Sequence, residues 1–274
     1  MIVALIMPIK IECLSVKNSL SDKPNEDALR VDTARCILAI ADGVSRLRAE
    51  DGTYPNPSPA SAVALLLVDT AADFLTHVVD GAGKGCTETD CCTALRRANA
   101  AIADYNSRFV PHPDYGVNDL AGAVGICGAI CNSEFVYAYI GDCLGCYFSG
   151  TESLALTINQ TSGIEEYIRQ NKRMPNLEQT IRREIRNNSS HPLAWGALTG
   201  ERSAETFITT GRVSLSKGSR ILLSSDGLLS ILSTQQDLAR LMTPQELIDA
   251  TLELEAEGKV RTDDKTVIIA EIVE

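Results

Sequence analysis

Two stretches of the chain share one figure. Residues 36–45 read CILAIADGVS and residues 220–232 read RILLSSDGLLSIL. In each, a continuous apolar run of strand length ends in Asp-Gly, at Asp42-Gly43 and at Asp226-Gly227. A run that is apolar at every position, not at alternate ones, reads as a strand covered on both faces. The chain therefore needs packed layers, and it delivers a carboxylate at the end of each buried strand. A carboxylate at such an edge is costly to desolvate unless it is paired, hydrogen-bonded or bound to a cation.

The rest of the composition narrows the options. The 274 residues are 45 % hydrophobic and 22 % charged, enough for a packed core and unlike a disordered chain. The formal net charge of −11 argues against nucleic-acid binding by a basic surface. An acidic protein that handles phosphates must gather positive charge locally, and bound cations are one way. The nine cysteines are odd in number and scattered through apolar runs. They read as reduced and mostly buried, which points to a cytoplasmic protein and not to a disulfide scaffold. Cys143 and Cys146 have metal-ligand spacing, but on a strand positions three apart point to opposite faces. The opening MIVALIMPIK is too short to span a membrane and follows no basic leader, so no membrane partner is expected.

Along the chain, residues 10–16 and 28–41 read as strands. A Pro-rich loop at 54–60 precedes a helix over 60–80, closed by Gly81, and a second helix follows over about 87–108. Three strand-like runs, AGAVGICGAIC, EFVYAYIG and CLGCYFSG, are expected to pair antiparallel, the first two through a tight turn at Asn132-Ser133. Residues 163–190 are charged and amide-rich, as in a surface helical insert or flap. Strand signals return at 205–213 and 219–225, helical patterns follow near 227–256, and KTVIIAEIV ends the chain as a strand. The layout is α+β, with no internal repeat or linker, and one domain is expected over 1–274.

Four acidic clusters border the apolar segments: Glu26-Asp27, Asp42, Asp226 and Asp263-Asp264. The three histidines, His77, His112 and His191, form no zinc motif. Oxygen-only ligation suits hard cations such as Mg²⁺ or Mn²⁺. One Asp-Gly alone is a turn signal. Two at the ends of apolar runs, with Glu-Asp before and Asp-Asp after, favour a shared site.

The ordered set NEDA, ADGVS, IGD, LTINQT, SSDGL and DDKTV resembles the metal-dependent protein serine/threonine phosphatase family, type 2C (PPM), in its bacterial form, from about residue 10 to the C-terminus. The resemblance implies a four-layer α-β-β-α sandwich of two antiparallel sheets flanked by antiparallel helix pairs. It implies a cleft at one end of the sheets holding two Mn²⁺ or Mg²⁺ ions. Asp42 is similar to the carboxylate that bridges both metals, with the Gly43 carbonyl on one of them. Asp226 and Asp263 resemble ligands of the other ion. Glu26 and Asp27 resemble the pair that holds metal-bound waters or binds metal directly. Asp142 matches a residue that can join a third, weaker metal site, and Asp264, where the family has Asn, stands behind the ligands. Asn159 and Gln160 replace a charged pair of the family.

The reaction so implied is hydrolysis of a phosphoserine or phosphothreonine protein substrate by a hydroxide activated at a binuclear centre, with Asp42, Asp226 and Asp263 as the catalytic carboxylates. No protein nucleophile is needed. One cysteine, Cys91, does have the Arg six residues on that a cysteine phosphatase requires, at Arg97, but both fall within the stretch read as the second helix and not in a phosphate-cradling loop. Substrate grip departs from the family. Asp22 stands where an Arg is usual, which leaves Lys23 as the candidate phosphate ligand. Leu144 replaces a second Arg. The basic residues Arg169, Lys172, Arg173, Arg182, Arg183 and Arg186 of the insert either recruit a phosphopeptide or form a solvated helix face with neighbouring glutamates. Two other functions compete: a catalytically weak module that binds a phosphoprotein or a regulator, and a hydrolase of small phosphoesters.

Overall fold

A computed structural model describes residues 8–82, 85–234 and 239–273. Among these residues the strands form two five-stranded antiparallel sheets. One sheet runs, in spatial order, β2 (Asp27–Asp32), β3 (Ile37–Val44), β4 (Gly122–Cys131), β5 (Glu134–Ile140) and β8 (Thr209–Ser214). The other runs β1 (Ile9–Val16), β10 (Lys265–Ile272), β9 (Arg220–Ser224), β6 (Leu144–Ser149) and β7 (Glu152–Ala155).

The two-residue period of the strands sorts the layers. In β3, Leu38 and Ile40 face the opposite sheet, where they meet Ile221 and Leu223 of β9 and Ile268 and Ala270 of β10. The alternate residues Ile37, Ala39 and Ala41 face outward, against Val63, Leu67 and Ala71 of α1 (Pro59–Ala82) and Leu95 and Ala98 of α2 (Glu88–Phe109). On the far side, Leu222, Val267 and Ile269 are covered by Ile231 of α5 (Leu229–Thr234) and by Leu247 and Ile248 of α6 (Pro244–Ala256). This is the expected helix–sheet–sheet–helix stack, and it explains why the strand sequences are apolar at consecutive positions.

Local chemistry fixes the ends of the helices. The Thr87 hydroxyl receives the Asp90 N–H while the Asp90 carboxylate receives the Thr87 N–H, and Thr243 and Glu246 repeat that box at α6, with Pro244 in its first turn. Over Pro59–Gly81, α1 has the length and hydropathy of a membrane span. Its apolar face is committed to the sheet, and its Asp69 pairs with Arg30 of β2 at 2.7 Å.

Several elements depart from the sequence reading. The expected strand at 28–41 is a hairpin, β2 and β3, turned at residues 33–36 with Cys36 at φ 54°. The Asn132-Ser133 turn is as expected, with φ of 50° and 61°. The third run, however, does not join that hairpin: β6 pairs with β9 and β7 in the other sheet. Short connections made all three runs look like one meander, whereas Gly141 (φ 88°) lets the chain step across to the second sheet. A Cβ at Gly141 would lie 2.2 Å from a Val124 methyl. Cys143 then points between the sheets and Cys146 toward α6, so the two thiols stand on opposite faces as expected. The strand expected at 205–213 begins as a 3₁₀ turn, Arg202–Phe207, before β8.

The amide-rich stretch divides in two. Helix α3 (Ser162–Asn171) is largely exposed. The next helical piece, α4 (Leu177–Thr180), continues as a π-helical turn over Ile181–Ile185 and drives Leu177, Ile181 and Ile185 into the core between the sheets. Arg186 follows them inward and grips Asp119 with two hydrogen bonds of 2.9 Å each. Arg182 adds a contact to the same carboxylate at 3.6 Å. Arg182 and Arg186 are therefore internal, not a solvated helix face.

Removing Asp119 strands buried guanidinium charge, and Asp119→Ala is expected to cost about 3–5 kcal/mol in chemical denaturation. The double change Asp119→Leu/Arg186→Met, which removes the charges together, should recover part of that loss.

Candidate metal centre

The period that builds the core also aims the carboxylates. Asp42 shares the parity of Leu38 and Ile40, so it lies on the inter-sheet side at the end of β3, opposite Asp27 of β2 in register. Asp226 stands just beyond β9, Asp263 just before β10, and Asp142 in the crossover after Gly141. Asp42, Asp142, Asp226 and Asp263 line one pocket of about 160 Å³ at this end of the sheets, together with Ser45, Thr161 and Trp195.

The glycines of the two Asp-Gly pairs allow close packing. Neither has a left-handed φ. A Cβ at Gly43 would sit 2.5 Å from the Ala60 carbonyl oxygen and 2.9 Å from that of Glu26. At Gly227 it would sit 1.9 Å from the Asp264 carbonyl oxygen. The turn role expected for Gly227 is thus a close approach of two backbones.

A ring of hydrogen bonds holds the acidic loops. Asp264 accepts the Asn18 N–H at 2.7 Å and the Glu26 N–H at 2.8 Å, and so pins the loop before β2 from behind. Asp27 accepts the Ser225 hydroxyl at 2.7 Å. The Thr161 hydroxyl donates to Asp142 at 3.0 Å, and Gln160 accepts the Gly141 N–H at 2.9 Å while donating to the Phe207 carbonyl at 3.0 Å. Gln160 therefore braces the turn that carries Asp142. Asn159 accepts the Thr161 N–H at 2.7 Å.

Glu26 is placed differently from the other acids. It is 4 % exposed, and its oxygens accept the Tyr54 hydroxyl at 2.6 Å, the Ser45 hydroxyl at 2.5 Å and the Ser58 hydroxyl. It forms the floor beneath Ser45 and is not part of the pocket lining. Sequence reasoning missed this hydroxyl cage because its members are scattered between residues 45 and 58. Lys265 was missed as well. Only 1 % exposed, it pairs with Glu255 of α6 at 2.6 Å and donates to the Asp263 carbonyl at 2.7 Å. A lysine inside an apolar strand, immediately after two aspartates, was the available signal.

Lys23, expected to meet substrate, and its neighbour Asp22 lie in the loop before β2. Asp22 is engaged at the surface by Arg48, with one contact at 3.0 Å. Lys23 donates to the Ser45 hydroxyl at 2.9 Å and lies 4.8 Å from the centre of the Tyr54 ring. It thus reaches toward the rim that Ser45 lends to the pocket. Arg261, not singled out from sequence, lines the pocket too and approaches Asp263 at 3.4 Å.

The electrostatics show how crowded the acids are. Burial, and then Asp27, Asp226, Asp142 and Asp263, push the Asp42 carboxyl far above the usual carboxylate range. Burial followed by Asp142, Asp263 and Asp27 raises Asp226 to about 8. Asp27 is raised to about 7, mainly by burial, against the pull of hydrogen bonds from Ser225 and Thr266. Asp142 is raised by burial, with Glu165 and Asp263 adding repulsion against the Thr161 hydrogen bond. Among the described residues no three acids, histidines or cysteines already close into a cation cage. The donor set nonetheless fits hard cations: it is all oxygen and carries negative charge that it cannot neutralise itself.

These raised values set a sign for stability. A carboxyl that holds its proton more tightly when folded loses stability as pH rises from its unfolded value, near 3.8, to its folded value, about 8 for Asp226. The metal-free protein should therefore melt lower at pH 8 than at pH 5, by several degrees, in scanning calorimetry. Mn²⁺ should restore more at pH 8 than at pH 5. Asp42→Asn should raise the metal-free melting temperature at pH 8 and shrink the gain from Mn²⁺.

No protein-family model matches the chain, and no curated protein does. Solved structures do. The serine/threonine phosphatase PstP/Ppp of Mycobacterium tuberculosis is 22 % identical, with a TM-score of 0.66 over 97 % of this chain and 99 % of its own. The PstP catalytic domain in complex with two manganese ions is 21 % identical, with a TM-score of 0.65 over 97 % and 99 %. The S. agalactiae serine/threonine phosphatase is 17 % identical, with a TM-score of 0.60 over 97 % and 100 %. The two sheets and their helical covers give this chain the fold of the bacterial PPM-type serine/threonine phosphatases.

Proposed function

We propose that the protein is a metal-dependent phosphatase of phosphoserine and phosphothreonine proteins. The observation that carries this reading is the convergence of Asp42, Asp142, Asp226 and Asp263 on one pocket, in a fold shared with phosphatases. Asp42, with the Gly43 carbonyl, and Asp226 and Asp263 would hold two Mn²⁺ or Mg²⁺ ions, with Asp27 beside them and Asp142 open to a third. The manganese ions bound by the PstP domain support that choice. Bound divalent cations supply an activated water and offset charge on the phosphoryl oxygens.

The chain's own residues do the rest. Hydrogen bonds from Ser225 and Thr161 fix the Asp27 and Asp142 carboxylates. Lys265 fixes the main chain at Asp263. Lys23 is the cation nearest the Ser45 rim and would donate to a phosphoryl oxygen, as a point charge in place of the planar fork of an arginine. Glu26 keeps Ser45 and Tyr54 in place beneath it. Cys143, 1 % exposed beside the acids, is pushed far up by burial and by their charge. It stays a thiol, which supports a reaction without a cysteine nucleophile. None of the nine cysteines forms a disulfide, in keeping with the reducing, cytoplasmic compartment proposed here.

The test is phosphate release from a phosphothreonine peptide and from an aryl phosphate, with Mn²⁺ and with chelator. Metal-dependent turnover of the peptide is expected. Turnover of the aryl ester alone would favour a small-phosphoester hydrolase, and turnover of neither would leave a phosphoprotein-binding module. Asp42→Asn and Asp226→Asn should each fall to the level of the chelated protein while remaining folded by circular dichroism. Lys23→Ala should raise KM by about tenfold or more with a smaller change in kcat, since a hydrogen bond to a charged group contributes about 1.5–3 kcal/mol. An unchanged KM would remove Lys23 from the site.

A further inference from the structure

A second hollow opens directly beside the metal centre and shares Asp226, Arg261 and Asp263 with it. Its volume is about 390 Å³, more than twice that of the first. Helix α3 with Lys172 just past its end, and the chain from Gly227 into the start of α5, supply its remaining lining, including Arg169, Ile168 and Leu229. Two apolar side chains and three cations thus border one groove on a protein whose net charge is −11.

The cations are available to a ligand. The Arg169 side chain is 71 % exposed and the Arg261 side chain 88 % exposed, and Lys172 is exposed with no ion-pair partner among the described residues. Arg169 meets only its helix neighbour Glu166, and Arg261 only Asp263, loosely, at 3.4 Å. Glu165, the one carboxylate in the groove outside the metal centre, lies 3.0 Å from the Thr161 hydroxyl oxygen. The basic residues of the 163–190 stretch therefore separate by role: Arg182 and Arg186 hold the core through Asp119, while Arg169 and Lys172 face this groove.

We propose that the groove binds the acidic flank of the phosphoprotein substrate, with aspartate or glutamate side chains beside the phosphoresidue meeting Arg169, Lys172 and Arg261, and an apolar neighbour resting on Ile168 and Leu229. The inference rests on the phosphatase reading, since it is continuity with the metal centre that puts a substrate backbone here. Complementary charge at an exposed groove selects among partners more than it adds affinity.

The experiment uses fluorescent peptides that carry a phosphonate analogue of phosphothreonine, which is not hydrolysed. They are flanked by Asp/Glu, by Ser/Ala or by Lys/Arg, and binding is read by anisotropy in Mn²⁺. The acidic peptide should bind about tenfold more tightly than the neutral one, and the margin should shrink with added salt. Arg169→Glu/Lys172→Glu, both at exposed positions, should reverse the preference while leaving the melting temperature unchanged. Equal affinity for the acidic and neutral peptides, or a preference that survives the double reversal, overturns the inference. Failure of the phosphatase reading is separate: it would appear as no Mn²⁺-dependent phosphate release from the corresponding phosphopeptides, whatever their order of binding.

Discussion

Mutual repulsion among half-buried carboxylates is the force around which this end of the molecule is organised. Asp27, Asp42, Asp142 and Asp226 all hold their protons more tightly than free aspartates do, because each is desolvated and each faces the others. A fold that left such a cluster on a mobile loop would spread it apart. Here two sheets fix the spacing: β2 and β3 bring Asp27 and Asp42 opposite one another, and the adjacent strands β9 and β10 carry Asp226 just beyond the end of one and Asp263 just before the start of the other. The rigid sandwich keeps together what electrostatics would separate, and a divalent cation is the natural counter-charge.

The supporting polar groups are arranged so that few acids stand alone. Asp264 ties two backbone N–H groups, Lys265 ties Glu255 and the Asp263 carbonyl, and Gln160 ties the crossover turn. Glu26 takes hydroxyl donors on both of its oxygens. These residues determine where the pocket carboxylates sit without lining the pocket themselves. The same economy appears at Asp119, where one carboxylate serves both Arg186 and Arg182.

Much of this was legible in the sequence, for physical reasons. Strands apolar at every position announce cover on both faces, and that alone implies the stacked layers around β3 and β9. The Asp-Gly figure marks the ends at which charge must be accommodated, and the ordering of the acidic motifs located Asp42, Asp142, Asp226 and Asp263. Long-range choices were not legible. Nothing local distinguishes a hairpin partner from a strand that crosses to another sheet, so β6 was placed beside β5 although it pairs with β9. Arginines destined for the interior look like surface arginines until their partner is known, and Asp119 lies 67 residues from Arg186. The cage around Glu26 is likewise made of ordinary serines and a tyrosine whose role is defined only by proximity.

Within each Asp-Gly pair, adjacent letters carry separate duties. The aspartate can become neutral without disturbing the packing, and its loss even relieves repulsion. The glycine cannot gain a side chain without forcing Ala60, or Asp264, out of place. Charge and architecture are therefore separable at these two points. A chain that kept both glycines could keep this packing even with the acids in front of them replaced.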